Sequence, residues 1–210
     1  MESVLKLRRF LDAPPSPAKQ KKEVCELCGA SLAAEHSHVI DLEHRRLMCA
    51  CRPCYLLFTH SGAAQGKFRS VPQRYLRIDR FAMGDSEWDL LQIPVGVAFF
   101  LRNSMQGRML AFYPSPAGAT ESGLPIEIWD EMVMANPVLG SLEADVEALL
   151  IARRRGHAET ESWIVPVDAC YELVGRIRRH WRGFDGGAEA WLEIDAFFAG
   201  LAARESEAQP

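Results

Sequence analysis

Four cysteines near the N-terminus stand in two pairs whose spacing is typical of a metal site: Cys25, Cys28, Cys51 and Cys54. Two residues separate the members of each pair, so one tight turn can direct both sulfurs at a single ion. The 22 residues between the pairs are long enough for a hairpin that brings the pairs together. The spacing therefore predicts a tetrahedral four-thiolate site of the zinc-ribbon type. The module is too small to fold on core burial alone, so we expect the metal to supply much of its stability.

Zinc is the metal that we expect, and iron is the alternative, as in rubredoxin or an iron–sulfur cluster. The second pair lacks the glycine that typically follows a rubredoxin knuckle, because Tyr55 stands there. Cys49 complicates the ligand set, since it can replace Cys51 or act as a redox thiol beside the metal. We prefer a third interpretation, in which Cys49 is a small buried residue at the end of a strand.

Two histidines, His36 and His38, lie in the arm between the cysteine pairs. Residues two apart on a strand face the same side, so these rings can bind a second metal or a substrate. Neither histidine has a cysteine at ligand spacing in the sequence. We therefore expect both side chains to lie at the surface or to support metal ligands through hydrogen bonds. With His60, the segment superficially resembles an HNH endonuclease, but that family needs a central asparagine, and the first here is Asn103.

Charge is distributed unevenly along the chain. Residues 1–82 carry 14 Lys and Arg against 8 Asp and Glu, whereas residues 83–210 carry 10 against 20. The two parts can dock on each other, or the basic part can meet an acidic partner. Four arginines alternate with aromatic and aliphatic residues: Arg69, Arg74, Arg77 and Arg80. Such a pattern can contact nucleic acid, but a half-buried strand explains it more simply.

The predicted fold class is α+β, with a small zinc-ribbon-like knuckle module followed by an α+β domain that has an antiparallel hairpin and about four helices. Composition divides the chain into a short helix with a Pro/Lys linker (1–22), the metal module (23–60), a connecting segment (61–87), the α+β domain (88–204) and a disordered tail (205–210). The longest apolar run, residues 90–101, is shorter than the about 20 residues that span a bilayer. The N-terminus also lacks a signal-peptide pattern, so we expect a cytoplasmic protein without membrane insertion.

Within the domain, periodicity predicts a hairpin, one further strand and four helices. The hairpin pairs residues 95–101 with 108–113, and the further strand covers 162–167. The predicted helices cover residues 125–135, 141–155, a segment capped by Asp168, and 188–203.

Two further features of the domain can carry function. Residues 114–123 read as a loop of small and hydroxyl residues, and its candidate functional side chains are Ser115, Thr120, Glu121 and Ser122. The loop matches no phosphate-binding or nucleophile motif, so a plain connector is the simpler interpretation. Cys170 stands in the first turn of a predicted helix, where a thiol can be redox-active. It shares a face with Leu173 and Ile177, which favours a core residue.

Four stretches together resemble a known family: CELCGASLAAEHSHVIDLEHRRLMCACRPCYLLF, IPVGVAFFL, YPSPAGATES and VPVDACYELVGRIRRHWRGF. Its members are uncharacterised bacterial proteins with a domain of unknown function, often encoded near uptake nickel–iron (NiFe) hydrogenases. The resemblance spans about residues 20–200 and includes Cys49. It implies an accessory role in assembly, maturation or electron handling of a metalloenzyme, and it carries over no catalytic residue.

These observations lead to three hypotheses of function. The first is a metal-binding accessory protein, not an enzyme, that contacts a hydrogenase subunit or maturation factor. The second is a rubredoxin-like or thiol-based redox protein, and the third is an HNH-like nuclease or nucleic-acid-binding protein. Site chemistry favours the first, because fold class alone does not define function.

Overall fold

The structure is a computed structural model that describes residues 23–60, 62–91, 93, 95–122, 126–153, 160–183 and 186–208. The short helix and linker predicted over residues 1–22 lie outside the described residues. The strands in the described part are β1 (Ser37–Asp41), β2 (Arg46–Ala50), β3 (Phe68–Ser70), β4 (Leu76–Arg77), β5 (Val97–Asn103), β6 (Arg108–Ser115), β7 (Gly118–Ser122), β8 (Glu147–Arg153) and β9 (Thr160–Pro166). The α-helices described are α1 (Arg52–Leu57), α2 (Asp85–Leu90), α3 (Ile126–Ala135), α4 (Val167–His180) and α5 (Gly187–Ala208).

Two antiparallel sheets organise these elements. The first has the order β2-β1-β3, and the cysteine pairs pack beside it. The second has the order β4-β9-β8-β5-β6-β7. The predicted hairpin is confirmed as β5 and β6, but it forms only part of a larger sheet. The connecting segment contributes β3 to the first sheet and β4 to the second. Mixed helices and antiparallel sheets confirm the α+β class.

The β5–β6 turn shows how local sequence sets the register of the large sheet. The side-chain oxygen of Asn103 accepts a hydrogen bond from the backbone N–H of Gln106 at 2.8 Å. Gly107 has a φ of +64°, a left-handed conformation that a residue without a Cβ adopts without steric cost. The turn therefore closes where the strands pair, with Asn103 opposite Arg108.

Helices cover both faces of the large sheet. On one face, α4 and α5 pack against the sheet around Phe99, Leu150 and Trp163. On the other face, α3 and the segment ending at Leu91 cover Phe100 and Ile151. The central strands are therefore buried on both sides, which is why they read as nearly continuous apolar runs.

The helix predicted over residues 141–155 is wrong. The structure has a 3-10 turn at Pro137–Ser141 followed by strand β8, which lies between β5 and β9. Leu149 and Leu150 do not share a helix face but enter the two opposite cores. A strand that is apolar on both sides gives the same short-range pattern as a buried helix, so periodicity did not separate them.

Three other predictions are corrected in detail. Residues 118–122 form the edge strand β7, whereas a loop was predicted over residues 114–123. Asp168 does not cap α4, whose N-cap is Pro166 and has no side-chain capping bond. The last helix continues to Ala208, past the predicted start of the tail.

The two sheets meet through an apolar contact bordered by ion pairs. Ile40 of β1 and Val71 pack against Val146, which precedes β8, and Val167, the first residue of α4. Arg69 donates to the Glu143 carboxylate at 2.7 Å and to the backbone oxygen of Ala144 at 2.8 Å. The basic part of the chain therefore pairs with the acidic part inside the molecule.

Candidate metal centre

The first cysteine pair sits on a turn that the backbone holds closed. The backbone N–H of Gly29 donates to the backbone oxygen of Cys25 at 2.8 Å. The backbone N–H of Cys25 donates to the backbone oxygen of Ala30 at 2.7 Å. Gly29 has a φ of +76°, as a tight turn after a cysteine pair requires. Cys28 is exposed, whereas Cys25 is buried, so the turn presents one sulfur from inside and one from outside.

The second pair is placed by helix α1. Cys51 is the N-cap of this helix, and Cys54 lies three residues later on its buried side. Pro53 stands in the first turn, where its missing N–H costs no hydrogen bond. Cys54 and Cys25 then pack together with Val39 and Ala50, which face inward from β1 and β2.

The two pairs converge on one point. The four sulfurs of Cys25, Cys28, Cys51 and Cys54 all lie within 4.8 Å of one another. Cys28 Sγ and Cys51 Sγ are 3.6 Å apart, close to the about 3.8 Å edge of a zinc tetrathiolate. These four cysteines can therefore hold one metal ion. All six cysteines are free thiols, so no disulfide competes with this arrangement among the residues described.

The pKa values of the thiols follow from burial, backbone hydrogen bonds and contacts between the sulfurs. Burial raises the pKa of the Cys25 thiol, but backbone hydrogen bonds at Cys51, Leu27 and Cys28 outweigh burial and bring the pKa to about 6. Contacts with the other thiols, followed by burial, raise the pKa of Cys54 to about 12. Sulfurs this close cannot all be ionised without a cation between them. A bound metal stabilises all four as thiolates and releases protons on binding.

Cys49 lies outside this cluster. Cys49 and Ala50 are neighbours on β2, and neighbouring residues of a strand face opposite sides of the sheet. Cys49 therefore points away from the side on which Ala50 packs with the cysteine cluster. Its ligand atom lies within 4.8 Å of ligand atoms of His36 and His38. Cys51, and not Cys49, is therefore the fourth member of the cysteine group. Sequence reasoning placed the two histidines on one face but missed their meeting with Cys49, because no sequence spacing reveals cross-strand register.

The polar groups of the hydroxyl-rich segment have partners in strands β6 and β7, in their turn and at Leu91. Ser115 Oγ is 2.8 Å from Thr120 Oγ1, and it also accepts the N–H of Ala117 at 3.1 Å. Glu121 accepts a bond from Arg108 at 3.0 Å, while Ser122 donates to the oxygen of Leu91 at 3.0 Å. These contacts give each side chain a structural partner and fit an edge strand.

Cys170 is part of the large core. Its side chain is fully buried between the sheet and α4, together with Leu173 and Ile177. Burial, and next the charge of Asp168, raise the pKa of this thiol well above its ordinary value. The structure therefore favours a packing role over a redox role for Cys170.

Helices packed on antiparallel sheets, with a four-cysteine cluster near the N-terminus, define an α+β protein with a candidate metal centre. A family model matches residues 24–205, and the chain belongs to that family, the family of unknown function DUF5947. The match confirms the resemblance to a domain of unknown function and carries no information on neighbouring hydrogenase genes. No curated protein and no solved structure gives a significant match. Among the described residues, each helix is too short or too polar to cross a bilayer.

Proposed function

We propose that the chain is a metal-binding accessory protein whose four-cysteine centre carries structural zinc. The convergence of four sulfurs within 4.8 Å is the observation that supports this proposal. Four protein ligands complete a tetrahedral shell, and a closed shell is typical of zinc that stabilises a fold. The core around the cysteines is small, with Val39 and Ala50 as its other buried members, so the metal supplies much of the module's stability.

The module also offers a surface for protein contact. Leu56 and Leu57 lie on α1, two and three residues after Cys54, and their exposed fractions are 52% and 65%. Two adjacent large apolar side chains on a helix fixed by the metal site can anchor a partner. The gene neighbourhood of the resembling family makes a hydrogenase subunit or maturation factor the partner to test first.

Metal analysis tests the zinc part of the proposal. The full chain, purified without oxygen, should contain zinc and show a featureless visible spectrum, and Cys28→Ser should lose that zinc. Stoichiometric iron with visible absorption would instead support the rubredoxin-like alternative. The exposure of Cys28 favours this second candidate, because electron transfer needs a centre close to the surface.

Cross-linking tests the partner part. A photo-cross-linker at Thr59, next to α1, should capture a hydrogenase subunit or maturation factor from cells that produce the enzyme. The double variant Leu56→Ser, Leu57→Ser should lose this product, and Leu192→Ser, which changes an exposed leucine on α5, should keep it. Cross-links that contain no hydrogenase-related polypeptide would reject the hydrogenase role and leave the zinc assignment intact.

A further inference from the structure

A second cluster of metal-ligand side chains lies on the other face of the three-stranded sheet: His36, His38 and Cys49. In the β1–β2 register His38 lies directly opposite Cys49, and His36 precedes His38 by two residues. Directly opposed residues and residues two apart share one face of a sheet. The ligand atoms of the three lie within 4.8 Å of one another, and the imidazole centroids are 4.9 Å apart. We propose that these three side chains hold a second zinc ion, separate from the four-cysteine centre.

Both imidazoles direct a lone pair away from their hydrogen-bond partners. Nδ1 of His36 is 3.0 Å from the backbone oxygen of Ala33, and Nδ1 of His38 is 2.8 Å from Oδ2 of Asp168. A carbonyl and a carboxylate only accept, so Nδ1 carries the proton in each ring and Nε2 keeps the lone pair. A carbonyl or carboxylate behind the ring is the usual support of a metal-bound histidine, because it fixes the tautomer.

His36 shows the strongest sign of a missing partner. Its side chain is only 10% exposed, and its buried Nε2 has no hydrogen-bond partner among the described residues. A buried nitrogen without a partner is unfavourable and rare in folded proteins. A bond to zinc would satisfy this nitrogen. His44, in the turn of the same hairpin, differs because it is exposed and bonds to Asp41 at 2.8 Å.

The donor set indicates the kind of ion and the kind of site. Two imidazole nitrogens and one thiolate suit zinc, for which donor atoms stand about 3.3–3.8 Å apart after small side-chain rotations. No fourth protein ligand joins the group in the part of the chain that the structure describes. A zinc site with three protein ligands keeps a position for water or a small molecule.

A cleft lies beside the two histidines. His36 and His38 line a cleft of about 780 Å³ between the small sheet and α4, whose wall also includes Tyr75, Arg176 and Arg204. The four-cysteine centre faces away from this cleft, since its core residues Val39 and Ala50 alternate with His38 and Cys49 along the strands. The second ion would therefore lie on the cleft side of the sheet, opposite the four-cysteine centre.

Zinc stoichiometry and X-ray absorption of the full, zinc-loaded chain test the proposal. The chain should bind two zinc ions with an average of about 2.5 sulfur ligands each and clear imidazole scattering. His38→Ala should reduce the content to one ion with four sulfurs and no imidazole scattering. His44→Ala, the matched control on the same hairpin, should retain both ions. One zinc per chain with four sulfurs in the unmodified protein would overturn the proposal and leave the four-cysteine assignment standing.

A milder variant keeps the test decisive if His38→Ala disturbs folding. Asp168→Asn leaves every proposed ligand in place but weakens the acceptor behind His38. We expect it to lower the affinity for the second zinc about 10–100-fold in a chelator competition, without affecting the first. An unchanged affinity for both ions in this variant would argue against a role of His38 as a ligand.

Discussion

Arg74 and Glu147 form an ion pair with two hydrogen bonds across the junction of the two sheets. Nε and Nη2 of Arg74 donate to Oε1 and Oε2 of Glu147 at 2.7 and 2.6 Å. The Glu147 side chain is 1% exposed and also accepts the backbone N–H of Glu143 at 2.9 Å. A carboxylate this deeply buried requires its cation, so the pair fixes the connecting segment to the first residue of β8.

Removal of this arginine should destabilise the protein. Breaking a fully buried pair costs about 3–5 kcal/mol, but Arg74 is itself 39% exposed and water can partly replace it. We therefore expect Arg74→Ala to lower the free energy of unfolding by about 2 kcal/mol in urea titrations with zinc present. Arg182→Ala, which breaks the exposed pair with Glu189, should cause no measurable change. Equal effects of the two variants would mean that the junction pair has no special role.

Gly96 should not tolerate even one methyl group. A Cβ at this position would lie 2.1 Å from the backbone oxygen of Arg153 and 2.8 Å from the Trp191 ring. Backbone on β8 cannot move without disturbing the sheet, so Gly96→Ala should cost about 3 kcal/mol of stability in chemical denaturation. Gly175→Ala is the matched control, because nothing lies within 4 Å of that position in α4. It should stabilise the helix by about 0.5–1 kcal/mol, so the two variants should have opposite signs.

Metal removal should unfold the cysteine module before the large sheet. All five tryptophans follow the module, and Trp163 is fully buried in the large core. A strong chelator should therefore make the β1–β2 turn at Arg45 and Arg46 sensitive to trypsin while the tryptophan emission stays unchanged. Cys28→Ser should show the same sensitivity without chelator. Simultaneous loss of protease resistance and of buried tryptophan emission would indicate that the two sheets unfold as one unit.

Cys170 should resist alkylation while the protein is folded. Burial raises its thiol pKa, so the reactive thiolate is absent, and the side chain is inaccessible as well. Iodoacetamide followed by peptide mass spectrometry should modify Cys28 after metal removal and leave Cys170 unmodified. Because the thiol pKa is higher in the folded state than in the unfolded state, the resulting stabilisation is complete below the ordinary thiol pKa and declines as pH rises above it. Rapid labelling of Cys170 in the folded protein would contradict its place in the core.

The interleaved arginines are engaged in contacts inside the molecule. Arg69 and Arg74 pair with Glu143 and Glu147. Arg77 lies 3.7 Å from Asp79, with its guanidinium over the Trp163 ring. The half-buried interpretation of this segment agrees with these contacts, while the nucleic-acid hypothesis has no support from them. The fold brings Arg69 and Arg74 of the connecting segment next to glutamates that lie 74 and 73 residues later in the chain.

Sequence by itself determined the features whose causes are local. Two cysteine pairs at fixed spacing, with Gly29 to allow the turn, predicted the metal cluster, since each pair needs only a few residues to form. The β5–β6 hairpin and the buried face of α4 were likewise predictable, because turn residues and helical periodicity act over short distances.

Tertiary structure decided what depends on neighbours far along the chain. Strand β8 was mistaken for a helix because only its central position, between β5 and β9, explains why both of its sides are apolar. Asp168 was expected to cap a helix, but the docked sheets bring it to His38, 130 residues away in sequence. The meeting of His36, His38 and Cys49 likewise depends on strand register. Sequence spacing does not encode that register, because the packing of a whole sheet face sets it.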